Sequence, residues 1–348
     1  MKRVLILHAY SADNIGDGFL VDETVALLHE ALGDGIEITL LAHRPESFAD
    51  FPGKVLSSAP FLFLPNRHVF ATLRSLAKYD LVVGVGGGYL RTGTILAAAK
   101  CALVHFPQLV LASRIGSRAV YLPQSIGPLG FGTRSPMRLV LKKLKTIMAR
   151  DDRTVAELQI GNVRRYPDLA LMRNAASKRE SVVPTGNHVL SVRPVRGVMP
   201  RQLYSLADAL RPFDGFVQSE TGHNDDRAAM ESLGPQLLLQ PEDLYGSGPR
   251  RVVVAVRLHA ALLAMGAGHY VIHLSYERKG YGAFQDLGLD DYVHNVFKFD
   301  PDAVCAQVKA LANDASIRTD YDAQLNAARE GLLDRRREVV TVLRREVR

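Results

Sequence analysis

The sequence predicts an α/β protein with two parallel sheets, and three observations set that class. Short β-branched runs alternate with helical patterns along the whole chain, the signature of parallel strands covered by helices. At 348 residues the chain is too long for one ordinary domain and suits two of about 150 residues. One polar, aperiodic stretch, Arg173–Asn187, carries Pro184 and Gly186 and separates two such series. The expected organisation is a Rossmann-like domain over residues 1–175, a second over 188–320, and a basic C-terminal helix over 321–348. Two such domains joined by a linker form a cleft, and open sheets of this kind bind ligands outside the carboxyl ends of their strands.

Each element has its own justification. In the first half the apolar runs predict strands at Val4–His8, Glu37–Leu41, Leu81–Val85 and Ala119–Leu122. Helical periodicity predicts helices near Phe19–Leu32, Thr94–Ser113, Pro136–Ile147 and Asp152–Gln159. In the second half strands are expected at Val189–Arg193, Phe216–Gln218, Gln236–Leu239, Val252–Val256 and Val271–Leu274. Helices are expected near Arg201–Leu210, Asp225–Ser232, Leu258–Met265 and Pro301–Asn313. No internal repeat is visible, so solenoid architectures are set aside.

Composition excludes several classes. With 47% hydrophobic and 23% charged residues and no biased tract, the chain is neither disordered nor fibrous. Of its net charge of +7, the tail supplies +3, because Arg335, Arg336, Arg337, Arg344, Arg345 and Arg348 outnumber Asp334, Glu338 and Glu346. A second basic face is expected from Arg138, Lys142 and Lys145, opposite Leu141, Leu144 and Met148 on one helix. Taken alone, each face is better explained as solvated helix surface; the functional alternative is that such faces suit phosphate groups, an acidic substrate or anionic lipid, with a peripheral membrane contact as one use. Nucleic acid is disfavoured, because no recognition motif is present and Trp is absent.

Cys101 and Cys305 stand far apart in apolar surroundings, a pattern that fits neither a disulfide framework nor a zinc site and points to a reducing, cytoplasmic location. No metal and no cofactor is expected, since no cluster of ligating residues has the required spacing. Met1–His8 reads as a buried first strand, because its apolar run is shorter than a secretory core. Ile95–Ala112 is interrupted by Lys100, His105 and Pro107, which favours a buried helix over a membrane span.

Function is expected in the turns that follow the strands. The first, His8–Gly18, contains Asn14, Gly16 and Asp17 just before a helix, where backbone N–H groups and Asn14 can hold an anionic or hydroxyl-bearing ligand. The second carries Gly86, Gly87 and Gly88, a costly run that marks a tight bend or a close backbone approach. It lacks the spacing of a dinucleotide fingerprint. A third, Pro123–Pro128, is as well explained by a rigid connection as by ligand contact, and Arg150-Asp151-Asp152 by a helix cap with a local ion pair.

The sharpest segment is Val252–Ala261, a fully apolar strand ending in Arg257-Leu258-His259. A guanidinium at such a place needs an anionic partner, so Arg257 is a candidate anion ligand. His259, between a helix N-terminus and a bound anion, is a candidate general acid. Arg193 closes the first strand of the same sheet and can converge on one polyanion with Arg257 or form a salt bridge between domains, two readings of equal standing. Lys279, after the strand at Val271–Leu274, offers a third positive charge.

As an ordered set these residues resemble the polysaccharide pyruvyl transferase family. The resemblance is carried by Asn14-Ile-Gly-Asp17, Asp80 with Gly86-Gly-Gly88, Gln124-Ser-Ile-Gly-Pro128, Arg150-Asp151 with Pro167-Asp168, Val256-Arg-Leu-His259-Ala, and Ser275-Tyr276 with Lys279. It implies a fold similar to the two-domain GT-B glycosyltransferases. It also implies transfer of a pyruvyl group from phosphoenolpyruvate onto two hydroxyls of a sugar, in a polysaccharide or a glycolipid, to form a cyclic ketal. Arg257, Leu258 and His259 take a phosphoenolpyruvate-binding role by direct match, with Arg193, Lys279, Gly86 and Gly87 around the substrates and Asn14 and Asp17 toward the acceptor. The departures are Arg153-Thr154, where the family often has a serine, and the long basic C-terminus. Two other functions fit the same chain: a nucleotide-sugar glycosyltransferase, and a non-catalytic scaffold in envelope polysaccharide assembly; on any of the three readings the expected location is cytoplasmic, with the inner face of the cell membrane as an option.

Overall fold

The computed structural model describes residues 1–60, 64, 66–221 and 224–347. Its contacts divide the chain into two compact units. The first comprises Met1–Asp13, Asp17–Leu169 and Arg335–Arg348, and the second Asn14–Gly16 and Ala170–Asp334. The division falls at Leu169/Ala170, a few residues before the position expected from the sequence, because the linker is fastened to the second unit. Arg179 donates to Asp322 (3.0 Å) and to the carbonyls of Met265 and His269, and its backbone exchanges hydrogen bonds with the Asn326 side chain.

The first unit is built on seven parallel strands: β1 (Lys2–Ala9), β2 (Ile36–Ala42), β3 (Lys54–Ser57), β4 (Leu81–Gly84), β5 (Ala119–Gln124), β6 (Thr146–Ala149) and β7 (Val163–Arg165). Their order is β3-β2-β1-β4-β5-β6-β7. The central strands β4 and β5 are buried throughout, as apolar runs covered on both faces should be. The short outer strands β3 and β7 carry Lys54, Arg164 and Arg165, and no apolar run announces them.

The helix expected over Pro136–Ile147 stops at Leu141. There the Asn162 amide donates to the carbonyls of Leu141 (3.0 Å) and Leu144 (2.7 Å), ending the helix so that Thr146–Ala149 can enter the sheet as β6. The single basic face expected from Arg138, Lys142 and Lys145 is therefore not formed. Arg138 donates to the Gln159 carbonyl, and Lys145 lies 3.7 Å from Glu346.

The second unit holds β8 (His188–Ser191), β9 (Phe213–Phe216), a hairpin of β10 (Glu220–Thr221) and β11 (Asn224–Asp225), then β12 (Leu238–Leu239), β13 (Val252–Ala255), β14 (Tyr270–Ser275) and β15 (Val293–Asn295). Apart from the hairpin, these form a six-stranded parallel sheet ordered β12-β9-β8-β13-β14-β15. Strand β9 lies earlier than expected because it contains a buried acid. Asp214 is 2% exposed and is neutralised by Arg251 at 2.6 Å, so a strand residue looks like a loop residue in the sequence.

The last helix spans Ala315–Arg345, beginning ahead of residue 321. Its basic end is not a free tail. Arg336 pairs with Glu23 and with Glu30 (3.0 Å), Arg344 donates to the Ala31 carbonyl, Arg335 pairs with Glu338 and Arg345 with Glu346. Arg336 and Arg344 thus anchor the helix end to the helix Ile15–Leu32, while Arg335 and Arg345 stay on the surface in local pairs and Arg348 lies outside the described residues. Both cysteines are buried and unpaired, and burial pushes the Cys101 thiol up to about 11.

Candidate functional site

In each sheet the strand order reverses beside its first strand, between β1 and β4 and between β8 and β13. Neighbouring loops diverge at such a switch point, and the carboxyl ends of the two strands open a crevice for ligand. The second unit carries an arginine beyond each of its two switch-point strands. Arg193 follows β8 by two residues and Arg257 follows β13 by two, and the strands are held in register through Ser191 and Ala255.

Arg257 is the N-cap residue of the helix Leu258–Gly266. Its guanidinium grips Asp226 with both arms, Nε to Oδ2 at 2.5 Å and Nη2 to Oδ1 at 2.8 Å. The Asp226 side chain is 1% exposed, so the pair is desolvated and the guanidinium plane is fixed. Burial pushes the Asp226 carboxyl up, against the pull of the Arg257 and Arg193 charges. Arg193 lies over the Tyr276 ring, its centre 5.6 Å from the centroid, and reaches the Tyr276 hydroxyl at 3.4 Å. Four groups from four segments thus meet at one sheet edge: Arg193, Asp226, Arg257 and Tyr276. Asp226 was missed because, in the run Asn224-Asp225-Asp226, it reads as an ordinary cap ahead of a helix. Only its partner distinguishes it.

His259 occupies the first turn of the same helix, half-buried. Asn14–Gly16 belong with this unit: Asn14 forms a β-bridge with Ser219, and the Asn14 Oδ1 accepts from Gly16 N–H at 3.2 Å. Gly16 lies flat against the imidazole. A Cβ at this position would stand 2.7 Å from the His259 Cβ and 2.8 Å from its Nδ1, so only glycine allows the approach. Leu258, between the two polar residues, points into the core and is 6% exposed. Lys279 is paired with Glu277 at 2.9 Å, which offsets its charge locally.

In the first unit the structure places Gly86 and Gly87 against their neighbouring turn. Gly87, at φ +139°, bridges to Gln124, and its carbonyl accepts from Ser125 N–H at 2.8 Å, while a Cβ on Gly86 would meet the Pro123 carbonyl at 2.9 Å. The glycines let two strand-end turns pack. Behind them Arg150 pairs with Asp168 at 2.7 Å, both 3% exposed, and donates to Ser125 Oγ, while Asp151 caps the following helix. The motif residues Arg150 and Asp168 are thus a buried frame, with the half-buried Asp151 capping the helix beside it. Both polar atoms of the Gln124 amide are buried and without a partner. Asp17 lies in the first turn of the helix Ile15–Leu32, and its charge reaches Lys100, which sits 3.8 Å over the Tyr10 ring.

A network at the end of β1 was not visible in the sequence. His8, at φ +72°, is 2% exposed, stacks on Tyr89 at 4.3 Å and hydrogen-bonds the Tyr121 hydroxyl at 2.7 Å. Burial, reinforced by the nearby His105, holds its pKa well below the usual histidine value.

Two Rossmann-like units with seven and six parallel strands define the class, a GT-B-like α/β protein. Solved structures bear out the fold. UDP-GlcNAc 2-epimerase from Neisseria meningitidis bound to UDP-GlcNAc superposes with TM-score 0.57 and 11% identity, covering 99% of both chains. Trehalose-6-phosphate synthase gives 0.56 and 12% over 99% of both. MnaA of S. aureus with UDP gives 0.53 and 12%, over 95% of this chain and 94% of its own. No curated protein matches the sequence. The family model for polysaccharide pyruvyl transferase matches residues 14–224, more than half of the chain, and the chain belongs to that family.

Proposed function

We propose that the protein transfers the pyruvyl group of phosphoenolpyruvate to two hydroxyls of a sugar, in a polysaccharide or a glycolipid, forming a cyclic ketal and releasing phosphate. The observation that supports this reading is the pair of arginines on the two switch-point strands of the second unit, with His259 one turn into the adjoining helix. Phosphoenolpyruvate carries a phosphate and a carboxylate, and two guanidiniums near a helix N-terminus suit it.

His259 donates a proton to the methylene carbon, giving an oxocarbenium-like centre at C2. The first sugar hydroxyl adds there and loses its proton to the imidazole. Phosphate leaves with the C2–O electron pair, and the second hydroxyl adds to the cation so formed and releases its proton, closing the ring. General acid–base assistance of this kind is worth about 10²–10⁴ in rate. Asn14 and Asp17 are assigned to the acceptor.

His259→Ala is expected to keep its thermal shift with phosphoenolpyruvate while phosphate release falls by about a hundredfold or more, measured against a panel of sugar acceptors. Wild-type turnover in that variant would remove His259 from the mechanism. A second reading is favoured by the neighbours named with UDP and UDP-GlcNAc: a nucleotide-sugar transferase built on the same pair of arginines. Stabilisation by a nucleotide sugar and not by phosphoenolpyruvate would select it.

A further inference from the structure

The charge of this chain is not spread evenly. Residues 81–150 contain ten Lys and Arg and no Asp or Glu, whereas the remaining residues hold 33 basic and 36 acidic side chains. From this acid-free segment two apolar features stand out of the first unit. The helical run Ile95–Arg114 is apolar and long enough to cross a membrane, yet 39% of its most apolar window is buried. Its C-terminal half packs into the core, while the end at Ile95–Lys100 has no buried residue, with Ile95 77% and Leu96 79% exposed. The turn at Phe131 is the second feature: its side chain is 65% exposed and its backbone sits at φ +52°, rare for a bulky residue.

These features belong to one edge. Thr92 donates its backbone N–H to the Pro128 carbonyl, and its hydroxyl accepts from Gly130 N–H at 3.0 Å and pairs with the Thr133 hydroxyl. The loop leading into Ile95 and the loop carrying Phe131 are therefore stitched together. Arg91 precedes this edge, exposed, and Lys100 and Arg134 follow the two apolar features. The carboxylates that come near are Glu157, 3.7 Å from Arg134, and Asp17, whose charge reaches Lys100.

We infer that this edge docks on an anionic lipid bilayer, with Ile95, Leu96 and Phe131 entering the interface and the exposed Arg91 and Arg134 facing the headgroups. Apolar side chains ringed by cations are what such an interface requires, since apolar burial and charge attraction act together there. A purely polyanionic partner would leave the three large apolar side chains in water. The inference does not rest on the donor assignment, because its readout is lipid binding without donor.

The test is co-sedimentation with phosphatidylcholine vesicles, with and without about one third phosphatidylglycerol. The wild type is expected on the anionic vesicles, with binding reduced by salt. The double variant Ile95→Glu, Leu96→Glu and the variant Phe131→Asn, which suits a left-handed backbone, are each expected to bind about tenfold more weakly. Arg91→Glu is expected to lose binding on the anionic vesicles. Melting temperatures like the wild type's show that each variant folds, and Phe131→Asn decides alone if the double variant does not. Equal recovery of wild type and variants, or no wild-type binding at low salt, overturns the inference. So does a wild-type dimer that the double variant makes monomeric, because a second copy would then cover this edge.

Discussion

Gly16 and His259 set a close steric constraint in the second unit. A methyl group on Gly16 would have to displace the imidazole, because neither its Cβ nor its Nδ1 leaves room. Gly16→Ala is expected to retain the thermal shift with phosphoenolpyruvate while turnover falls by about a hundredfold, the effect of misplacing a reacting group by about 1 Å. Unchanged turnover would separate Gly16 from the site. Asp226 sets the second constraint. Arg257→Ala leaves its carboxylate buried with no bidentate partner, at a cost of about 3 kcal/mol measured by urea denaturation, and the added change Asp226→Asn should return much of it. Arg193, Arg257 and His259 were legible in the sequence, because a strand end is the place where a charged residue after an apolar run stands out. Asp226 was not, since its role depends on a fold that brings residue 226 to residue 257.

Elements were legible where burial makes an isolated apolar run, and β6, buried and apolar, escaped because it continues the helical pattern ahead of it. The central strands β1, β4, β5, β13 and β14 are apolar runs, and the sequence shows them plainly. The outer strands β3, β7 and β15 are short and half-buried, so little patterning marks them, and β9 hides behind Asp214. Arg173–Asn187 reads as a polar linker because its interactions are polar, yet Arg179 and Asp322, 14% and 5% exposed, fasten it to the last helix. Arg179→Ala is expected to destabilise the chain by about 3 kcal/mol in urea denaturation, because the buried Asp322 carboxylate would lose its counter-charge and keep only the Tyr270 hydroxyl.

The loop before β14 predicts a pH dependence. His269 Nδ1 accepts from the Arg251 N–H at 3.0 Å and its Nε2–H donates to the Leu244 carbonyl at 2.6 Å, which fixes the neutral form. Burial, with the charges of Arg250, Arg251 and Arg179, lowers its pKa to about 4. Between about pH 6.5 and 4 the unfolded chain therefore binds more protons than the folded one. Stability should fall as the pH is lowered through that window, by up to about 1.4 kcal/mol per pH unit from this histidine. A flat urea midpoint between pH 7 and 4 would contradict this.

For the whole molecule, two sheets with one strand order mean two switch points, and the chemistry-bearing residues divide between them. The second unit gathers Arg193, Asp226, Arg257, His259 and Tyr276. The first gathers a packed turn of glycines and a buried Arg150–Asp168 frame. The ordered set of motifs identified the family correctly because it records strand-end turns, which the fold keeps in sequence. The pairing of the basic tail was not legible, because charge counting is blind to pairing, and Glu23 and Glu30, which Arg336 meets, lie some three hundred residues away. The central claim is that the arginine pair of the second unit binds phosphoenolpyruvate. Its most direct test is a thermal-shift titration with phosphoenolpyruvate, UDP-glucose and GDP-mannose, on the wild type and on Arg193→Ala and Arg257→Lys. Stabilisation of the wild type by phosphoenolpyruvate alone, growing as RT ln(1 + [L]/Kd) and lost in both variants, is the predicted result. Stabilisation by a nucleotide sugar alone, or a phosphoenolpyruvate shift that survives in both variants, would contradict it.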